Sequence, residues 1–203
     1  MKNGDHLPEV LLAEARRGDA VARGKLLDLY RNYLRVLARG LIRGALRARL
    51  DPSDLVQETY LEADRDLSQF GGQSEGQLLA WLRRILVRNL ADQVKFHQAL
   101  GRDWHRQESL DVLLEQSAIN VQEALAAGLS TPSAEVSRRE HAVLVADAIA
   151  RLSEDYREVI LLRHAEHLPF EEVAQRMDRS AGAVRMLWVR ALEKLNQELK
   201  DCL

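Results

Sequence analysis

Apolar residues recur three and four places apart along almost all of the 203 residues, and no stretch of any length alternates with the two-residue rhythm of a strand. A chain patterned this way buries its apolar stripes only by packing helix on helix, so the expected fold class is all-α. Ordinary start and stop signals mark the helices. Pro8–Arg17 reads as a short amphipathic helix, with Gly18 just past its end and Asp19 free to cap the next. A long helical pattern then runs from Ala20 to about Arg49, with arginines at Arg31, Arg35, Arg39, Arg43 and Arg47 and a break expected near Gly40 or Gly44. Asp51 and Pro52 open "DPSDLVQETYLEADRDL" as N-cap and first helical residue. "SQFGGQSEGQ" (68–77) is a glycine- and serine-rich loop, and residues 78–98 form another helix.

Residues 101–140 break the pattern with Gly101, Gly128 and "LSTPS", leaving a modest helical signal around 109–127. They read as a partly helical linker. A second helical unit starts near Val143, with Ser153 capping "EDYREVILLRHAEH" and Pro169 near the start of "LPFEEVAQRM". The expected organisation is two small helical domains, 8–98 and 143–198, joined by a linker over 99–142. A hydrophobic content of 46% argues against disorder. The lone cysteine, Cys202, gives neither a disulfide nor a metal-ligand spacing, and no run approaches a membrane span. With no apolar signal-peptide core near the N-terminus, a cytoplasmic protein away from membranes is expected.

Chemistry-bearing motifs are few. His164 and His167 lack a third partner, so no metal site is expected, and no phosphate loop, nucleophile elbow or paired catalytic carboxylates suggest an enzyme or a cofactor. Three other stretches carry information. In "RSAGAVRMLWVRALEKL" (179–195), Ser180 precedes a helix whose first turn holds Gly182, a residue costing about 1 kcal/mol relative to Ala in an exposed helix. At about 100° per residue, Val184, Leu187, Trp188, Ala191, Leu192 and Leu195 gather on one side. Gly182, Arg185, Met186, Val189 and Arg190 gather on the other. With helix 170–177 and a three-residue turn before it, this is a helix-turn-helix pattern, whose second helix suits a DNA groove. A plain helical hairpin with a solvated charged face has the same spacing.

The second stretch is an acidic stripe, Asp51, Asp54, Glu58 and Glu62 with Gln57 beside it. Such stripes are usually solvated, and the alternative is a basic partner. The third is the loop 68–77 with the helix after it, where Arg84, Arg88 and Lys95 share one face with Trp81 at its edge, a combination that suits an unpaired strand, although a core tryptophan among surface arginines would look alike. Net charge is −2, and the Lys+Arg against Asp+Glu counts are 16 to 13 over 1–100, 4 to 7 over 101–140 and 9 to 11 over 141–203. No segment is basic enough to coat DNA, so any DNA binding is weak alone or occurs beside a partner.

Taken together, these stretches resemble the extracytoplasmic-function (ECF) sigma factors of bacterial RNA polymerase. "DPSDLVQETYLEADRDLSQF" is similar to their region 2.2, "WLRRILVRNLAD" to regions 2.3 and 2.4, and "LSEDYREVILLRHAEHLPFEEVAQRMDRSAGAVRMLWVRALEKL" to region 4. The resemblance implies core RNA polymerase and promoter DNA as partners, with an anti-sigma factor as a candidate third. It implies that Asp51, Asp54, Gln57 and Glu58 face the β′ clamp helices, and that region 2 opens the minus-ten element and captures a flipped non-template base. Trp81, Arg84, Arg88, Asn89 and Lys95 are the candidates for that task. It implies that Ser180, Gly182, Arg185, Met186, Val189 and Arg190 read the minus-thirty-five element while region 4 touches the β flap, and that the acidic linker threads the polymerase RNA channel. One departure from the family pattern stands out. Many members place Asn seven residues after the tryptophan, where this chain has Arg88, with Asn89 one place later on the more apolar side. The alternative function is a helix-turn-helix regulator that does not bind core polymerase.

Overall fold

A computed structural model describes residues 7–42, 44–100 and 135–201, and all regular structure among them is helical. Helix α1 (Leu7–Arg16) ends in Gly18, whose φ of 97° lies where only glycine is unstrained. The N–H of Gly18 reaches Ala15 O at 3.1 Å and that of Asp19 reaches Glu14 O at 3.3 Å, closing a Schellman motif. Asp19 then caps α2 (Ala20–Asp28), accepting from the N–H of Val21 at 2.8 Å and Ala22 at 3.0 Å.

The long helix expected from Ala20 is broken earlier than either glycine suggests. It stops at Leu29–Tyr30, and α3 (Arg31–Leu41) restarts there before a 3₁₀ turn at Gly44–Ala48. Leu27 O explains the break: it accepts from the Tyr30 N–H at 3.1 Å and from the Tyr60 hydroxyl at 2.6 Å, instead of from the residue that would continue the helix. Tyr30 is fully buried, its hydroxyl donating to Glu75 at 3.1 Å. Helix α4 (Pro52–Asp66) starts as expected, Asp51 accepting from the Ser53 N–H at 2.6 Å. Helix α5 (Glu75–Leu100) starts three residues ahead of its apolar pattern because Ser74 and Gln77 make a capping box. Leu26, Leu34, Leu55, Leu67, Leu78, Leu82 and Leu86 fill the core between these helices.

The second half comprises α6 (Glu135–Arg151), α7 (Glu154–Ile160) running into a π-helical turn (Leu161–Ala165), α8 (Phe170–Arg176) and α9 (Ala181–Lys200). Ser153 occupies the N-cap position of α7 without a side-chain capping bond. Helical structure thus extends into both ends of the expected linker; the stretch around 109–127, like Cys202, lies outside the described residues.

The two halves meet through α3, which packs on α6 and the π turn. Apolar residues of both halves join one cluster, and a polar network lies beside it. The π turn swings Glu166 inward to 3% side-chain exposure, where it accepts from Arg39 at 2.9 Å, from Arg176 at 2.8 Å and from Arg47. Arg39 also grips Glu158 with both terminal nitrogens at 2.8 Å, and this pairing holds the Glu158 carboxyl below its ordinary range. Asn32 donates to Asp147 at 2.9 Å. Burial, then Arg39 and Arg176 nearby, lower the pKa of Arg47. The regular arginine spacing along 31–47 thus places Arg39 and Arg47 where carboxylates from the other half converge.

Candidate nucleic-acid and partner interfaces

Helices α8 and α9 are joined by three residues. Asp178 takes a left-handed φ of 51°, which Asp tolerates better than most side chains, and the N–H of Arg179 closes back onto Ala174 O at 2.9 Å. Ser180 caps α9 through the Ala183 N–H at 3.2 Å. Arg179 fastens the turn to α7 by an ion pair with Asp155 at 2.7 Å. Val173 and Ala174 of α8 are buried, as are Val184 and Ala191 on the side of α9 where the helical spacing gathers them. Trp188 docks the middle of α9: its Nε1–H donates to His164 Nε2 at 3.1 Å, and Phe170 meets it edge-on at 5.6 Å. His164 accepts that bond as a neutral ring, and burial first, then Arg163 and His167, depress its pKa.

The opposite arc of α9 is open. Gly182, Arg185, Met186, Val189 and Arg190 are all exposed, Met186 to 55%. A Cβ built on Gly182 would meet nothing within 4 Å, so packing inside the protein does not require this glycine. Arg185 rests against α8, paired with Glu171 at 2.8 Å and lying 5.4 Å above the Phe170 ring. Both partners are largely exposed, so the contact is weak and exchangeable.

In the first half, Asp54, Gln57 and Glu58 lie exposed along α4, followed by Leu61 at 67% exposure, which the acidic pattern had hidden. The stripe is partly tied to α5: Gln93 donates to Glu58 at 2.6 Å, and Arg88 pairs with Glu62. Arg88 therefore sits on the α4–α5 seam rather than beside Trp81. Lys95 stands farther along α5, paired with Asp92 at 3.5 Å. Asn89 points inward at 6% exposure, with its Nδ2 buried and unpaired. Trp81 and Arg84 do come together. With Gln69, Phe70, Gly71, Gly72, Gln77 and Ala80 they line a pocket of about 330 Å³. Phe70 lies 5.1 Å from Trp81, ring to ring. The sequence pointed to the loop 68–77 as a whole, without naming which of its residues meet Trp81 and Arg84. The di-glycine beside an aromatic was their visible signal.

Residues 142–195, which include α8, the turn and the open arc of α9, match the family model described as sigma-70, region 4. The chain is 29% identical over 192 residues to the ECF RNA polymerase sigma-E factor of Haemophilus influenzae, covering 95% of each protein. It is 30% identical over 196 residues to the ECF RNA polymerase sigma-E factor of Escherichia coli strain K12, covering 95% of this chain and 94% of that one. The chain belongs to the ECF RNA polymerase sigma factors. As a sigma factor it is a DNA-binding regulator of transcription initiation. Among solved structures it is similar to CnrH in complex with the cytosolic domain of CnrY, at 23% identity over 96% of this chain and 98% of that one, with a TM-score of 0.37. Among the described residues, no helix of this sigma factor is long and apolar enough to cross a membrane.

Proposed function

We propose that this sigma factor docks on core RNA polymerase through the exposed face of α4 and directs initiation by opening the minus-ten element with its first half and reading the minus-thirty-five element with α9. Asp54, Gln57 and Glu58 present an acidic surface suited to the basic β′ clamp helices, with Leu61 adding apolar contact at its end. The pocket beside Trp81 receives the flipped non-template base. Phe70 and Trp81 supply ring surface, Gln77 the Nε2–H donors of an amide whose oxygen is held by the loop, and Arg84 a cation for the backbone phosphate. Arg88 and Lys95 contribute charge from farther along α5, and Asn89 acts by packing rather than by touching DNA. Arg185 and Arg190 reach guanine edges or phosphates in the major groove once Arg185 leaves Glu171, while Gly182 lets the backbone approach closely. Region 4 also touches the β flap, and an anti-sigma factor is a further partner in the cell.

The open arc of α9 is the observation that carries this reading. It lies within the matched region 4 segment and holds a glycine that the fold itself does not need. Run-off transcription with core polymerase on a promoter library tests it. Arg185→Ala and Arg190→Ala should each cost about 1–3 kcal/mol at one base pair of the minus-thirty-five element, the worth of a good bidentate contact. Wild-type initiation by both variants on the preferred promoter contradicts the assignment.

A further inference from the structure

We infer that Arg16, the last residue of α1, is a positioning residue for promoter opening: it clamps the loop that builds the base pocket. The inference rests on the reading of that pocket given above. Arg16 Nη2 donates to the carbonyl oxygens of both Phe70 and Gly72, more than 50 residues away, and its guanidinium carbon lies 5.4 Å from the centre of the Phe70 ring. The two acceptors straddle Gly71. Consecutive glycines lose more backbone freedom on ordering than any other pair, so Gly71–Gly72 is where this loop most needs an external hold. From the helix side, Gln77 Oε1 accepts from the N–H groups of Gln73 at 2.7 Å and Ser74 at 3.3 Å. Arg16 supplies the hold on the other side.

The clamp bears directly on the pocket wall. A Cβ on Gly72 would come within 2.3 Å of the Phe70 ring, so that ring lies flush against the glycine backbone. Phe70 in turn lies 5.1 Å from Trp81, and Phe70, Gly72 and Trp81 all line the pocket. Holding the carbonyls of residues 70 and 72 therefore fixes the ring surface on which an extruded base rests. The task suits arginine. One planar cation donates to two carbonyls while its face covers a ring, whereas a lysine ammonium has no plane to stack.

The test uses the full chain with core RNA polymerase and the variants Arg16→Ala and Arg16→Lys. Hydrogen exchange reports on amides 70–77 in the free protein, and a 2-aminopurine in the minus-ten non-template strand reports on opening. In both variants these amides should exchange about ten-fold or more faster and the promoter should open about ten-fold or more slowly, the scale of losing charge-assisted hydrogen bonds. Co-elution with core polymerase and helix content should stay as in the wild type. Arg16→Lys keeps the stem and the charge, so it decides the matter should Arg16→Ala fold poorly. Opening at the wild-type rate overturns the inference, whether or not the loop exchanges faster. A wild-type holoenzyme that opens no promoter removes the pocket reading and this inference with it, so the two failures are distinct.

Discussion

Gly182 separates two requirements that usually coincide at one residue. A side chain there meets open space and the backbone is helical, so Gly182→Ala should stabilise the free protein by about 0.5–1 kcal/mol, seen as a higher melting midpoint. Gly182→Leu should also fold, yet lower promoter use, because its bulk stands on the face assigned to DNA. Equal transcription by Gly182→Leu and wild type would mean that this face meets no DNA. Helix periodicity made the arc legible, since exposure of five residues on one side follows from spacing alone. It did not reveal that Arg185 rests on Glu171, or that Arg88 turns to Glu62, because ion pairing depends on neighbours brought in from other helices. Asn89 is the instructive case: its place on the apolar side was visible, and its burial follows from that.

Helix starts and stops carried most of the element-scale information. Asp19 and Asp51 cap where side-chain chemistry says they should, Gly18 ends α1, and Ser153 holds its cap position without the expected side-chain bond. The break at Leu29–Tyr30 was not legible. No glycine or proline marks it, and its cause is a hydroxyl from Tyr60 on another helix. The recognition element offers a pH test. His164 is neutral and accepts from Trp188, and its folded pKa lies below the ordinary value near 6.5. Over the window below 6.5 the unfolded chain binds a proton that the folded chain resists, so stability rises with pH there and levels off above it. Thermal melts from about pH 5.5 to 7.5 should show a rising midpoint for the wild type. His164→Gln, which keeps an acceptor but does not titrate, should show a shallower slope. Equal slopes would remove His164 as the cause.

At the scale of the molecule, the all-helical class was legible in the spacing of apolar residues, and the way the two halves close on one another was not. Nothing in a linear pattern pairs Arg39 with Glu158 and Glu166, more than 100 residues away. Arg39→Ala leaves Glu158 without its bidentate partner and strips one cation from the buried Glu166. Such a loss typically costs about 3–5 kcal/mol when buried, and less here because Arg39 keeps 20% exposure. Small-angle scattering should show a larger radius of gyration for the variant, with the helix content of each half retained; an unchanged radius would mean that apolar packing alone closes the two halves. The decisive measurement is gel filtration with core RNA polymerase, comparing the wild type with Asp54→Arg/Glu58→Arg. Both positions are exposed, and the Asp51 cap and the apolar face of α4 remain, so the variant should keep its helix content and melting midpoint within a few degrees. Like charges facing the clamp helices typically cost several kcal/mol. The wild type should co-elute with core polymerase and the double variant should not, while Arg185→Ala and Arg190→Ala co-elute as the wild type does. Co-elution of the charge-swapped chain, or failure of the wild type to co-elute, would contradict docking through α4.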